Sequence, residues 1–229
     1  MTIELVFIHG WGFDAHFWDA LASKLPHHRQ LRVDLEFIKK ISGVTGKFST
    51  VSVEKILENE NRSILIGHSL GFVHGLQAGR NWAGWIAINS FPHFVAKENS
   101  PACVTAASLR EMRMRLQKAT ENTLADFYKR IGAKPPPGTP NVERLREGLD
   151  ELRDADVTET LQTLDVPGLV LAGRNDPLVP FAVSEKLGSM AKGGGLVVNE
   201  EGGHLLPQTA SSWCALAIAN FVTSCIDRA

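Results

Sequence analysis

The sequence predicts an α/β fold, with a mostly parallel sheet of about six strands and a helical insertion. First, short apolar runs recur along the chain, separated by stretches long enough to form a crossover helix. This alternation is typical of a parallel sheet covered by helices. Second, residues 92–156 break the alternation, because they contain no strand-like run and are rich in Leu, Arg, Lys and Glu at helical spacing. The break indicates an inserted helical segment.

Each strand is predicted from a continuous apolar run, the pattern of a strand that is buried on both faces. The first run, residues 5–8, ends at the glycine-containing turn His9-Gly10-Trp11-Gly12. The other runs are residues 30–35, 63–66, 85–88, 168–172 and 196–198. Residues 210–225 are predicted to form an apolar helix on the sheet, in which Cys214 and Cys225 fill the core.

The length of 229 residues corresponds to one domain that carries an insertion. We assign residues 1–91 and 157–229 to the α/β core and residues 92–156 to the insertion. Pro135-Pro136-Pro137-Gly138 and Pro140 lie inside the insertion. Because proline lacks the amide donor and clashes with the preceding helical turn, the insertion should consist of several helices.

Composition and charge exclude several classes of function. The chain has 24 Lys and Arg against 25 Asp and Glu, a net charge of −1, so no chain-wide basic field would hold a nucleic acid. Its three cysteines are far apart, which argues against a disulfide framework and a zinc site. The N-terminus lacks the basic region of a signal peptide, and no apolar stretch of 18 residues could span a membrane. We therefore expect a cytoplasmic monomer without nucleic acid, membrane, metal or cofactor.

A serine nucleophile is predicted from Gly67-His68-Ser69-Leu70-Gly71, which directly follows the apolar run of residues 63–66. A G-x-S-x-G sequence between a strand and a helix forms a sharp turn that exposes the serine hydroxyl. The alternative is a chance serine between two glycines in an ordinary turn. The position after a buried strand favours Ser69 as the nucleophile.

A serine hydroxyl needs a base to take its proton, and the base needs an acid that orients it. Asp176 follows the strand of residues 168–172, and His204 follows the last strand in the turn Gly202-Gly203-His204. Seven other histidines compete with His204. We expect His27 and His28 to be solvated, place His68 in the elbow and His74 on the next helix, and treat His9, His16 and His93 as candidates for lining the site. The predicted catalytic residues are Ser69, Asp176 and His204.

Two backbone amides are predicted to bind the oxyanion that forms on the substrate carbonyl. One is the amide of Leu70, directly after the nucleophile, and the other is that of Trp11, in the turn after the first strand. The alternative is a glycine-rich turn in which Trp11 only fills the core.

These four motifs together resemble the α/β-hydrolase superfamily. Phe17-Trp18, Asn89-Ser90-Phe91-Pro92-His93-Phe94 and Gly148-Leu149-Asp150-Glu151-Leu152 further resemble the pimeloyl-acyl-carrier-protein methyl ester carboxylesterases of biotin synthesis. The resemblance implies a helical cap over the triad and hydrolysis of the methyl ester of a pimeloyl chain that is still attached to its carrier. It also implies substrate-binding residues in the catalytic core and, by position, in a cap helix. These residues are Trp11, Ser69, Leu70, His204, Phe127, Tyr128, Lys129, Arg130 and Ile131.

The charge of the insertion bears on the expected partner. Residues 109–134 hold seven basic and three acidic side chains, a net charge of +4 in a chain of net charge −1. Arg110, Arg113 and Lys118 lie near helical spacing, which permits one basic face. Such a face would suit an acidic acyl carrier protein, and the alternative is an ordinary solvated helix face.

Other functions share the same triad. Thioesterases, lactonases, C–C bond hydrolases and the menaquinone-pathway lyase of this superfamily use it, and a triad alone does not separate them. A non-enzymatic ligand receptor or interaction module would require the triad to be idle. The sequence favours a carboxylesterase that acts on a small acyl ester.

Overall fold

The computed structural model describes residues 3–39, 50–51, 62–79, 81–98 and 100–227. In this part of the chain, seven strands form one sheet in the order β4-β2-β1-β5-β6-β8-β9, and every pair of neighbours is parallel. Two further strands, β3 and β7, form a separate antiparallel pair. The strands are Glu4–Ile8 (β1), Arg29–Val33 (β2), Ile38–Lys39 (β3), Thr50–Val51 (β4), Ser63–His68 (β5), Trp82–Ile88 (β6), Thr139–Pro140 (β7), Gly168–Gly173 (β8) and Gly193–Asn199 (β9).

All six predicted apolar runs overlap strands of the large sheet, which confirms the predicted fold class. The bounds differ at several ends: β6 begins three residues before the predicted run, and β2 ends two residues before its predicted end. The seventh strand, β4, is only two residues long.

Helices pack against the sheet and make up most of the insertion. A single 3-10 turn, Ala15–Trp18, precedes the first of them. The described helices are Asp19–Ala22 (α1), Leu70–Gln77 (α2), Ala106–Lys118 (α3), Thr120–Ile131 (α4), Val142–Asp154 (α5), Thr158–Thr163 (α6), Phe181–Gly188 (α7), Leu206–Thr209 (α8) and Ser211–Asp227 (α9). Cys214 and Cys225, both buried in α9, fill the core as expected. Among the described helices, none is both long and apolar enough to cross a membrane.

The strand order brings several loops together at one edge of the sheet. From β1, the chain adds β2 and β4 on one side and then β5, β6, β8 and β9 on the other. The order therefore reverses between β1 and β5, and ligands of open parallel sheets bind at the carboxyl ends of the strands near such a reversal. Ile8 at the end of β1 lies opposite Gly67 of β5, and Ile88 at the end of β6 lies opposite His68.

The predicted insertion, residues 92–156, is called the cap from here on. It leaves and re-enters the core at neighbouring points, because the Val157 N–H donates to the Pro92 carbonyl at 2.8 Å. The cap contains the helices α3, α4 and α5, and the proline run separates α4 from α5, as the several-helix prediction required. One expectation was wrong: the cap also contains a strand, β7, which pairs with β3 of the core.

A polar contact also joins α5 of the cap to the core. Arg144 donates from Nε to the Leu35 carbonyl at 3.0 Å and binds both carboxylate oxygens of Glu151. Glu151 lies 3.0 Å from Nε2 of His74 on α2. Burial would raise the pKa of Glu151, but the hydrogen bonds from His74 and Arg144 outweigh burial, and the pKa lies below its ordinary value.

Candidate active site

Ser69 occupies a strained turn between β5 and α2. Its φ of +51° is rare for any residue other than glycine. Two hydrogen bonds hold the turn: the Ser69 N–H donates to the Ile88 carbonyl at 3.1 Å, and the Ser90 hydroxyl donates to the Ser69 carbonyl at 2.8 Å. A Cβ on Gly67 would overlap Phe72, and one on Gly71 would overlap the Ile8 carbonyl. Both glycines of the motif are thus required by close packing.

Asp176 and His204 form a buried pair. Their side chains are 1% and 2% exposed, and His204 Nδ1 lies 2.8 Å from Asp176 Oδ2. Because a carboxylate only accepts hydrogen bonds, the proton between them lies on Nδ1, and Nε2 is left to accept a proton from another group. The other carboxylate oxygen, Oδ1, accepts from the backbone N–H groups of Leu178 at 2.8 Å and Val179 at 3.0 Å.

The surroundings of Asp176 keep its carboxyl group ionised. Burial alone would raise the pKa of Asp176, but the charge and hydrogen bond of His204 and the two backbone donors outweigh it, so the pKa is lowered. An ionised Asp176 can therefore hold His204 in one orientation and stabilise its protonated form.

Leu70 and Trp11, the two predicted oxyanion donors, follow β5 and β1, which are neighbouring strands. Leu70 is the first residue of α2, so its N–H has no acceptor within the helix. The turn after β1 is held by His9. The Leu35 N–H donates to His9 Nε2 at 3.0 Å, which leaves the proton on Nδ1 to donate to the Gly10 carbonyl at 2.9 Å.

Ser69 and His204 both line one cavity of about 310 Å³ between the core and the cap. Its other walls are mostly apolar. They are formed by Trp11, Phe94, Val104, Leu109, Met112, Phe127, Leu149, Leu152 and Leu178. Four charged side chains also line the cavity, and all are exposed, which places them in its outer part. They are Glu111, Arg115, Asp126 and Arg130.

A known protein family matches most of this chain. Residues 5–217 match the model of the alpha/beta hydrolase family. The chain belongs to the alpha/beta hydrolase family.

The relatives of this hydrolase include curated esterases. A pimeloyl-acyl-carrier-protein methyl ester esterase of Serratia marcescens is 30% identical over 206 residues, which cover 80% of each chain. One from Pectobacterium carotovorum subsp. carotovorum is 31% identical over 204 residues, or 79% of each chain. An esterase structure from Exiguobacterium antarcticum has a TM-score of 0.78 at 17% identity, covers 96% of this chain and 92% of its own, and shows the shared fold. Family and relatives together indicate a hydrolase.

Only part of the cap helix expected to bind substrate reaches the cavity of this hydrolase. Phe127 and Arg130 of α4, one helical turn apart, line it. Tyr128, Lys129 and Ile131 do not: Lys129 is exposed, and Tyr128 and Ile131 are buried outside the cavity lining. Neighbouring positions of a helix point in different directions, and the expected binding role of these three residues stays a prediction.

Tyr128 instead contacts the loop that carries the predicted oxyanion donor. Its hydroxyl donates to the Gly12 carbonyl at 2.5 Å. The indole N–H of Trp11 donates to the Leu145 carbonyl of α5 at 2.8 Å, and the Trp11 and Phe127 rings meet edge to face at 4.8 Å. Two cap helices of the hydrolase therefore hold the loop after β1 by hydrogen bonds.

The histidines expected as possible cavity residues lie elsewhere. His9 holds the loop after β1, as described above. His16 lies 3.2 Å from Asp19 at the surface, and His93 lies 2.7 Å from the Ser100 hydroxyl. His27 is exposed and His28 half-buried, close to the expected solvated state. Within the described residues, no group of three or more His, Cys, Asp or Glu is placed to hold a metal ion.

His68 contacts His204, a contact that the sequence did not predict. It is completely buried, its Nε2 donates to the His204 carbonyl at 2.9 Å, and its ring lies 4.7 Å from that of His204. Nδ1 is buried without a hydrogen-bond partner among the described residues. Burial, followed by the charge of His204, lowers the pKa of His68 well below its ordinary value.

We expect His68 to make this hydrolase less stable in mild acid. Below about pH 6.5 an unfolded chain binds a proton on this residue that the native state does not bind, so the free energy of unfolding falls as the pH falls. The contribution is about 1.4 kcal/mol per pH unit. His68→Gln, whose amide can donate to the same carbonyl, should lower that slope in urea unfolding between pH 6.5 and 5. Equal slopes for the two proteins would show that His68 is protonated in the native state.

Proposed function

We propose that this hydrolase is a serine carboxylesterase that cleaves the methyl ester of a pimeloyl chain on acyl carrier protein, or a related short acyl ester. The observation that carries the proposal is that Ser69 and His204 line one mostly apolar cavity, while Asp176 accepts a hydrogen bond from Nδ1 of His204. The names of the relatives from Serratia marcescens and Pectobacterium carotovorum supply the acyl group and its carrier.

The proposed reaction has two steps. Ser69 Oγ attacks the ester carbonyl while His204 Nε2 takes its proton, and the amides of Leu70 and Trp11 hold the oxyanion. The intermediate collapses, His204 returns the proton to the leaving methoxide, and methanol departs. Water then attacks the acyl group on Ser69 with His204 as base, which releases the carboxylate and restores Ser69. Asp176 stays ionised throughout.

The cavity suits a short acyl ester. Its volume of about 310 Å³ lies at the small end of the range of ligand pockets, about 300–1,000 Å³. Its apolar walls favour a neutral ester, since an unpaired carboxylate loses much of its solvation in such a site. The walls therefore favour binding of the methyl ester over the free acid that the reaction produces.

The decisive experiment compares methyl esters of graded acyl length, free and attached to acyl carrier protein. We expect the carrier-bound pimeloyl methyl ester to have the highest kcat/KM, and the gene to restore growth of a biotin-requiring strain that lacks its own esterase. Turnover of free short esters with neither carrier-bound hydrolysis nor growth would leave an esterase and overturn the carrier assignment.

The cap supplies a second arm of that experiment. Arg113 pairs with Asp150 at 2.9 Å, and Arg115 pairs with Asp126 at 2.5 Å. These two ion pairs join α3 of the cap to α5 and to α4. Arg130 donates to the Pro177 carbonyl at 2.8 Å. These three arginines are therefore already engaged within the protein. The exposed basic residues that remain candidates for binding an acidic carrier are Arg110, Lys118, Lys129 and Lys134.

Reversing Arg110 and Lys118 to Glu should raise KM for the carrier-bound ester about tenfold and leave small free esters unaffected, because exposed charges act mainly on encounter with the charged partner. Added salt should weaken the carrier-bound reaction selectively. The matched control is the double variant Lys24→Glu and Lys186→Glu, which makes the same change in charge at two exposed positions outside the cap. If both double variants had the same KM for the carrier-bound ester at low salt, the cap would not be the docking surface.

A further inference from the structure

Asn89 contacts both the acid and the base of the proposed triad. It follows β6 and is 1% exposed. Its Nδ2 lies 2.6 Å from Asp176 Oδ2 and 3.1 Å from the Gly203 carbonyl, which directly precedes His204. Because both neighbours only accept hydrogen bonds, the amide group must face them with its two N–H donors.

The backbone at this position is also specialised. Asn89 has a φ of +47°, a conformation that asparagine tolerates better than most residues, and its N–H donates to the Leu171 carbonyl of β8 at 2.9 Å. Its Oδ1 is buried without a partner among the described residues. A buried acceptor without a partner is costly, and such atoms in native structures call for a reason. The two bonds made by Nδ2 supply one.

We propose that Asn89 is a positioning residue that holds the acid loop and the base loop of the triad in register, an inference that rests on the proposed roles of Asp176 and His204. The oxygen that binds His204 Nδ1, Oδ2 of Asp176, accepts a second bond from Asn89. Oδ1 is occupied by two backbone donors, so the carboxylate cannot rotate without breaking bonds on both oxygens. The Gly203 bond fixes the chain next to His204 to the same amide.

The effect of losing Asn89 follows from this geometry. Without the amide, Asp176 keeps its backbone donors, but the distance between the Asp176 and His204 loops is less restrained. Misplacing a reacting group by about 1 Å can cost about 10²-fold in rate. The loss should fall on kcat, because Asn89 does not line the cavity proposed to bind the substrate.

Asn89→Gly removes the side chain and keeps a residue that accepts positive φ without strain. We expect kcat for a p-nitrophenyl short-chain ester to fall about 10²-fold with KM within twofold of wild type. Phosphonylation of Ser69 by a fluorophosphonate should slow by a similar factor. In proton NMR, the far-downfield signal of the His204 Nδ1 proton should shift or exchange away. Asn89→Asp, which keeps the shape and replaces the donors by oxygen, gives a second variant if Asn89→Gly unfolds.

The matched control is Asn175→Ala. Asn175 is exposed and its Nδ2 donates to the Glu200 carbonyl at 3.1 Å, so it joins the same two loops without touching the Asp176 carboxylate. It should keep kcat within twofold. A kcat within threefold of wild type for Asn89→Gly, or a loss confined to KM, would overturn the proposal. The phosphonylation rate does not depend on the acyl substrate, so it tests Asn89 even if the pimeloyl assignment fails.

Discussion

Replacing Ser69 by Ala is expected to abolish hydrolysis of a p-nitrophenyl short-chain ester, with a loss in kcat of roughly 10⁶-fold by analogy with serine proteases. The hydroxyl is the only protein group in the proposed reaction that forms a bond to the acyl carbon, so no other side chain compensates for its removal. Stability should change by less than about 1 kcal/mol, because a small hydroxyl contributes little packing. Steady-state kinetics and thermal unfolding measure the two effects.

The strained turn provides a matched variant for that test. Ser69→Gly should be equally inactive but more stable than Ser69→Ala by about 1 kcal/mol, since glycine accepts the φ of +51° without strain. A fluorophosphonate should label the wild type and neither variant. Wild-type turnover by Ser69→Ala would remove Ser69 as the nucleophile and direct attention to Ser108, which also lines the cavity.

The second large effect is expected at the acid and the base. Asp176→Asn should lower kcat by about 10⁴-fold, because an asparagine amide no longer fixes the proton of His204 on Nδ1. His204→Ala should lower kcat by roughly 10³-fold or more, because it removes the base that takes the proton of Ser69. Combining either change with Ser69→Ala should cost little more, since the three residues act as a unit.

The control is Asp154→Asn, an identical change at a carboxylate that is 67% exposed at the end of α5. Its kinetics should match those of the wild type. If Asp176→Asn lost less than about tenfold in kcat, another residue would have to orient the base.

The sequence was sufficient to predict the sheet, and the candidate triad was proposed from the ends of its strands. Parallel strands are buried on both faces, so each leaves a continuous apolar run, and their carboxyl ends lie at one edge of the sheet. Ser69, Asp176 and His204 each follow a different run and so converge in space. Asn89 follows a fourth run, β6, between β5 and β8 in the sheet. A polar residue directly after that run was the available signal.

Contacts between distant and short segments could not be predicted. β3 and β7 are two residues each and are separated by about a hundred positions, so neither leaves a periodic pattern. The charge count of residues 109–134 suggested a basic face, but two of its arginines bind carboxylates across the cap. Ion pairs between helices depend on how the helices pack, which a count of charges along one segment does not contain.

The hydrogen bonds from the cap to the loop after β1 limit how freely this enzyme could be diversified. A cap that only selected substrates could be exchanged for another without any effect on the catalytic residues of the core. Here the Tyr128 hydroxyl and the Leu145 carbonyl are both hydrogen-bonded to the loop that contains Trp11. A cap taken from another protein would have to reproduce both hydrogen bonds before it could change substrate preference. Substrate preference and the rate of the proposed reaction would therefore change together. Directed evolution of this scaffold should therefore begin at the cavity wall around Phe127 and leave the helix junctions intact.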